Sequence, residues 1–260
     1  KKNSESVEKC LRQWNGRHDS MKYIYSAGCP SLKAACDAMK ICHDHTIPGN
    51  SKNNHRAERS NRHVLTGAKN LLLQAGLPIS FWPYAVRYFC LANNIRAWGG
   101  KNSAWFKRHG EPFLRTMLPF GCKVSYMPQK NNPRKREKVG PKGIVGVFLG
   151  FVPQSGGKIN EQMYVAALDE FEGIDFKTGM RNYTEVFPDE ESCKVFVDTT
   201  AEVINIQALR YPKKKDKDKH YSFPLKAAYT AATEDLLGIQ KGDYTPNLLS
   251  HFDLKPLASE

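Results

Sequence analysis

The sequence predicts an α/β chain: a parallel βαβ unit with long helices, followed by a small antiparallel, β-barrel-like or curled sheet. Three observations carry this. MKYIY, LKAACDAMK and ICHDHTI succeed one another as strand, helix and strand over residues 21–47. Residues 56–75 then repeat apolar side chains at helical spacing. From about residue 113 the pattern changes to short apolar runs between turn-rich segments. The expected divisions are 1–110 for the α/β core, 111–190 for a small β-rich domain, and 191–260 for a basic linker with a terminal helix.

SESVEKCLRQWN (4–15) reads as a short helix, with Ser4 as its cap, Glu5 in its first turn and Gly16 as its stop. MKYIY is a strand broken by Gly28 and Pro30, and Ser31 can cap the helix that follows. ICHDHTI places Ile41, His43, His45 and Ile47 on one face by period two. Strand, helix and strand at this spacing form a parallel βαβ unit, with a right-handed crossover expected. After the loop PGNSKNN, a helix runs from about Arg56 to Gln74, closed by Gly76 and Pro78. Its stripe is Ala57, Val64, Leu65, Ala68, Leu71, Leu72 and Ala75. A further helix, roughly Ser80–Ala97, carries aromatic rings best explained by core packing. CKVSYMP, GIVGVFLGFV and QMYVAALDEF are strands, with PQSGGK between the last two as a hairpin turn and NNPRKREKVGPKG as a longer break. VFVDTTAEVINI could add a strand, KKKDKDK is a solvated charge run, and LKAAYTAATEDLLG is a terminal helix.

Lys and Arg number 39 against 26 Asp and Glu, a net charge of +13, which favours a polyanionic partner, nucleic acid such as DNA first and an anionic membrane surface second. The hydrophobic fraction of 40% supports a packed core. No apolar run approaches the roughly 18 residues that span a bilayer, so no membrane role is expected. KKNSESVEK lacks the apolar core of a signal peptide, and the missing initiator Met fits a segment of a longer reading frame. Seven irregularly spaced cysteines point to reduced thiols and an intracellular setting. No G-x-S-x-G, phosphate-binding glycine loop or dinucleotide fingerprint occurs, and no small-molecule substrate is indicated. CHDH (42–45) lacks a second tight pair, as zinc would need, and Cys29, Cys36 and Cys122 are most simply buried thiols.

NHRAERSNR (54–62) sets one acid, Glu58, among His55, Arg56, Arg59 and Arg62. Glu58 falls at the edge of the apolar stripe, in the first helical turn, where the dipole favours an anion. Arg62, four residues on, is within reach for an ion pair. Arg59, Arg62 and Lys69, with His55 and Arg56 nearby, give a basic surface that could track phosphates.

NHRAERSNR, LLLQAGLPISFWPYAVRYFCLANN, LPFGCKVSYMP and VGPKGIVGVFLGF, in that order, resemble four motifs of the copia-type retrotransposon integrase. The matching residues are Asn54, Glu58, Arg59 and Arg62, then Gly76, Leu77, Pro78, Phe81 and Trp82, then the F-G-C and later glycine segments, with Phe151 for Tyr. The resemblance covers residues 21 to about 170 and implies a partial RNase H-like core, a β-rich domain, nuclear localisation and DNA strand transfer. It also implies two Mg²⁺ or Mn²⁺ ions held by an Asp-Asp-Glu triad whose third acid is Glu58. The second acid of the family falls on Ala27, the acid expected near it on Ser31, and only 26 residues precede Ala27, where the first should lie. A methyl group cannot ligate a metal, and Glu58 alone cannot organise two ions. The expected protein therefore keeps DNA binding and loses strand transfer. The alternatives are a competent integrase, completed by another chain or by Asp37 or Asp44, and a non-enzymatic interaction fragment. The short parallel sheet also suggests self-association through an uncovered face.

Overall fold

The structure is a computed structural model describing residues 3–16, 21–46, 54–97, 99, 102–128, 143–175, 180–181, 195, 197–200, 203–205 and 221–230. The chain forms two compact units: Lys1–Gly67 with Phe151–Gln162, and Ala68–Gly150 with Met163–Glu260. The fold is mixed α/β, with a parallel two-stranded sheet and a larger antiparallel one. No helix among the described residues is long and apolar enough to cross a membrane.

In the first unit, α1 (Ser4–Asn15) has the bounds its sequence predicts, but its cap is Asn3 rather than Ser4. The Asn3 side chain accepts from the Glu5 N–H, which makes Ser4 the first helical residue. Gly16 ends the helix at φ 69°, its N–H donating to the Arg12 carbonyl at 3.1 Å. A Cβ there would lie 2.5 Å from the Gly156 Cα, so the helix end rests backbone to backbone on the turn at 155–157. Strand β1 (Tyr23–Ser26) leads to α2 (Pro30–Met39), which starts two residues earlier than expected. Cys29 stands at the N-cap and Pro30 at N1, where its missing N–H costs nothing, so Ser31 is not the cap. β2 (Cys42–His45) pairs parallel to β1, Tyr23 opposite Cys42 and Tyr25 opposite Asp44. Period two leaves Ile24, Ser26 and His43 half-buried on one face and Tyr23, Tyr25, Cys42 and Asp44 exposed on the other. Ile41 is buried, whereas His45, expected beside it, is exposed, and Ile47 lies outside the described residues.

Helix α3 (His55–Ala75) does not bury its whole apolar stripe. Ala68, Leu72 and Ala75 are in the core, Leu71 and Val64 are half-buried, and Ala57 and Leu65 are exposed.

In the second unit Gly76 closes α3 at φ 69°. A Cβ on it would meet the Lys226 Cα at 2.4 Å. Ile79–Phe81 form a 3₁₀ turn, and only from Trp82 does α4 (Trp82–Ile95) begin, so the expected single helix has a tighter first turn. Phe81, Ala85, Tyr88 and Leu91 bury one face of it. Phe81 packs on Phe171 at 5.6 Å between centroids, Tyr84 edge-on to Tyr164 at 5.3 Å, and Tyr88 edge-on to Phe148 at 6.2 Å. The Tyr88 hydroxyl, buried among these rings, donates to the Leu118 carbonyl at 2.8 Å. A helix absent from the expectation, α5 (Ala104–His109), has Ser103 as its cap and Gly110 as its stop.

β3 (Lys123–Tyr126), β4 (Ile144–Pro153) and β5 (Ile159–Ala167) match the three expected strands, although Leu168–Phe171 turn as a 3₁₀ segment. β6 (Ile174–Asp175) and β7 (Met180–Arg181) form a separate pair. With β8 (Val197–Thr200) and β9 (Val203–Asn205), the main sheet has the order β8-β5-β4-β3-β9. Its two edge strands are successive in sequence, and the three peptide steps from Thr200 to Val203 span at most about 11 Å. The sheet must therefore curl, and the Thr200 hydroxyl, at the end of edge strand β8, donates at 2.8 Å to the carbonyl of Met127, the residue after β3. It remains open in hydrogen-bond order, so a closed barrel is not formed. Residues 226–230 are helical, consistent with the start of the expected terminal helix; its remainder, the KKKDKDK run and nearly all of NNPRKREKVGPKG lie outside the described residues.

Gly121, at φ 80°, brings the segment before β3 against the end of α3, where an added Cβ would lie 2.1 Å from the Ala75 Cβ. Its N–H donates to the Phe148 carbonyl at 2.7 Å. Gly110, at φ 75°, has nothing within 4 Å of an added Cβ. Gly121→Ala is expected to cost about 3 kcal/mol or more of stability, from overpacking plus left-handed strain. Gly110→Ala should cost about 1 kcal/mol from strain alone. Urea denaturation of the two variants checks the difference.

Candidate nucleic-acid interface

Ala68, Leu72 and Ala75 form the buried stripe of α3 within the second unit. At about 100° per residue, Arg59 points almost directly away from that stripe, and Arg56, Arg62, His55 and His63 all lie more than about 110° from it. All five are exposed. Lys69 is exposed on the same helix, beyond Gly67 and thus in the second unit. His55, Arg56, Arg59 and Arg62 of the first unit are thus exposed on one side of α3.

Glu58 is in the first turn of α3, as expected, and exposed. It lies about 75° from the buried stripe. It makes no hydrogen bond or ion pair with any described residue, and the pair with Arg62 does not form. Surface pairs of this type are worth only about 0.3–0.5 kcal/mol, too little to fix two long side chains. An i,i+4 pair does form on α1, where Arg12 and Glu8 meet at 2.7 Å.

Ala27 follows the last residue of β1 and is exposed. The Ser26 hydroxyl donates to the Ala27 carbonyl at 2.9 Å and lies 2.9 Å from His43 Nε2. A hydroxyl has one proton, so with that proton on the Ala27 carbonyl, His43 donates Nε2–H to Ser26. On the opposite face the Tyr23 hydroxyl donates to Asp44 Oδ2 at 3.0 Å. That bond holds the Tyr23 phenol above its usual range. These cross-strand pairs follow from the parallel register and were invisible before it was known.

Two hard cations need several carboxylate oxygens converging on one point. Ala27 offers a methyl group, Asp44 is engaged by Tyr23, and Asp37 is exposed on α2. Among the described residues no group of three or more His, Cys, Asp or Glu gathers as a metal site. Among the described residues these acids do not gather as a two-metal centre would require. Cys42 and His43 point to opposite faces of β2, as the alternation requires. Cys36 and Cys122 are buried as expected, while Cys29 is half-buried at the N-cap position of α2, without a side-chain capping bond. Burial raises the thiols of Cys36 and Cys90 and pushes Cys122 up to about 12.

Sequence reasoning missed the basic last turn of α5, Lys107, Arg108 and His109, although Ser103 and Gly110 mark its two ends. Cations at a helix C-terminus already suit the dipole, so this cluster has a sufficient local cause.

No protein-family model matches the chain. It is similar to a retrovirus-related Pol polyprotein from transposon TNT 1-94 of Nicotiana tabacum, 29% identical over 128 residues. The match covers 47% of this chain and 9% of that polyprotein. The likeness supports a retrotransposon Pol-derived protein.

The thiols give a check on the packing. Cys122 has a folded pKa raised above its ordinary value of 9.0, so its contribution to stability is full below pH 9 and lost as pH rises toward about 12. The unfolding midpoint should fall over that window, and less steeply in Cys122→Ala. In the native protein the exposed Cys10 and Cys42 should react with a disulfide reagent at once, and Cys36 and Cys122 only on unfolding.

Proposed function

We propose that this chain is an integrase-derived protein of the copia type that binds DNA through the cationic face of α3 and no longer performs strand transfer. The observation that carries the reading is the contrast between Ala27 and Glu58. Glu58 opens α3 in the motif that resembles the family's third acid, while a methyl group stands just after β1 where the second should be. On this reading residues 1–110 are the remnant of an RNase H-like core and 111–190 the β-rich domain that follows it.

The +13 charge and the exposed Arg56, Arg59 and Arg62 support the binding half of the proposal. Guanidinium groups meet phosphate oxygens with two parallel N–H donors, and each phosphate neutralised releases counterions. In the family, Mg²⁺ or Mn²⁺ would activate the attacking oxygen and stabilise the leaving one. Here Glu58 would be the one family acid left to hold an ion, and no step is assigned to it. Without a metal, a carboxylate beside phosphates repels them. Glu58 then opposes the function that its arginine neighbours retain. The natural setting of such a protein is the nucleus.

A gel shift on duplex DNA is expected to show binding at low salt that weakens steeply as salt rises. The double variant Arg59→Ala, Arg62→Ala should bind at least tenfold more weakly. Its log–log salt dependence should be shallower by about 0.9 for each phosphate that the variant no longer neutralises. No shift at 50 mM salt would sink the binding half.

Glu58→Gln should bind DNA two- to fivefold more tightly in a chelator-containing buffer. In a strand-transfer assay with Mg²⁺ or Mn²⁺, neither the parent nor this variant should give product. A product that disappears in Glu58→Ala would instead favour a competent integrase completed by another chain.

A further inference from the structure

We infer that residues 55–66 of α3 complete their helix on the nucleic acid, so that binding and folding of this segment are one event. The inference rests on the DNA-binding reading above. Every residue from His55 to Thr66 is exposed except Val64, which is half-buried, and packing begins only at the buried pair Gly67 and Ala68. The first three turns of α3 therefore bury little surface, although His55 and His63 do have interaction partners. In water a helix of fewer than about 12–15 residues is marginal without such packing.

Local chemistry works against these turns too. Ser60, Asn61, Val64 and Thr66 are weak helix formers. The Ser60 hydroxyl turns back to the Arg56 carbonyl at 3.0 Å, a bond that competes with the helical ladder. Arg56 and Arg59 are three residues apart, as are Arg59 and Arg62, so like charges are neighbours on the helix surface. Arg56 also sits at the helix N-terminus, where the dipole is positive and a cation is unfavourable. The one acid of the segment, Glu58, makes no pair with any described residue that would relieve this.

A phosphate backbone reverses the electrostatic penalties together. It neutralises the arginine row, and it places anions near a helix N-terminus that favours them. The same cations that destabilise the helix in water thus stabilise it on DNA. Coupling of this kind is reciprocal, so whatever strengthens the free helix must strengthen binding.

Hydrogen exchange on the full chain, with and without a 20-base-pair duplex, tests this. Amides of 57–66 should exchange at least about tenfold more slowly on DNA, while those of α4 stay unchanged. The uncharged variant Ser60→Ala, Asn61→Ala should raise protection in the free protein and tighten binding about three- to sixfold with an unchanged salt slope. A face that acted by charge alone would not respond to it. Two results overturn the inference while leaving DNA binding intact: 57–66 already as protected as α4 in the free protein, or no gain in protection on a duplex that binds. Absence of binding overturns both together.

Discussion

Where Gly121 meets Ala75 there is no room for a further carbon atom: a Cβ on the glycine would lie 2.1 Å from that of the alanine. The second unit is arranged around this approach. It holds the segment before β3 against the end of α3, and Gly121 and Cys122 exchange hydrogen bonds with Phe148 of β4. Tyr88 of α4 then packs on both Phe120 and Phe148. Gly76 repeats the device one residue after α3, against Lys226. The motifs that carry the family resemblance in this part of the chain, at 76–82, 118–128 and 145–151, are thus largely one packing unit. Their glycines and aromatics are explained by backbone approach and ring burial without any chemistry. The exception is Trp82, which is 53% exposed although its neighbour Phe81 is buried.

The first unit follows a different rule. Its two-stranded sheet has an exposed face carrying Tyr23, Tyr25, Cys42 and Asp44, and both strands are edges. Parallel sheets are usually covered on both faces. What holds this one is the half-buried side, with Ile24 and His43, and the buried Ala35 and Cys36 of α2. Ser26 and His43 tie the strand ends on that side, and Tyr23 and Asp44 tie the other.

Elements with a strong period were legible. The bounds of α1, the extent of α3 and the positions of β3, β4 and β5 follow from spacing and from Gly16, Gly76 and the glycine pair at 156–157. Caps were less so: Asn3 and Cys29 took places assigned to Ser4 and Ser31, because several adjacent residues can begin a helix and packing selects one. α5 was overlooked because six residues are too few for a period to emerge. The candidate site was legible in its residues but not in its contacts. A helical wheel gives the angle between Glu58 and Arg62, yet the free energy of an exposed pair is too small for that angle to decide whether they meet.

The sequence by itself determined the charge balance, the order of the motifs, the methyl group at Ala27 and the carboxylate at Glu58. These are properties of residue identity, and no folding changes them. Tertiary structure decided how far along α3 the apolar stripe is used: Ala68, Leu72 and Ala75 are covered, while Ala57 and Leu65 are left in solvent. It also decided that Tyr23 meets Asp44 and Ser26 meets His43. The reason is that periodicity specifies which side chains share a face, whereas burial depends on what the rest of the chain places opposite that face.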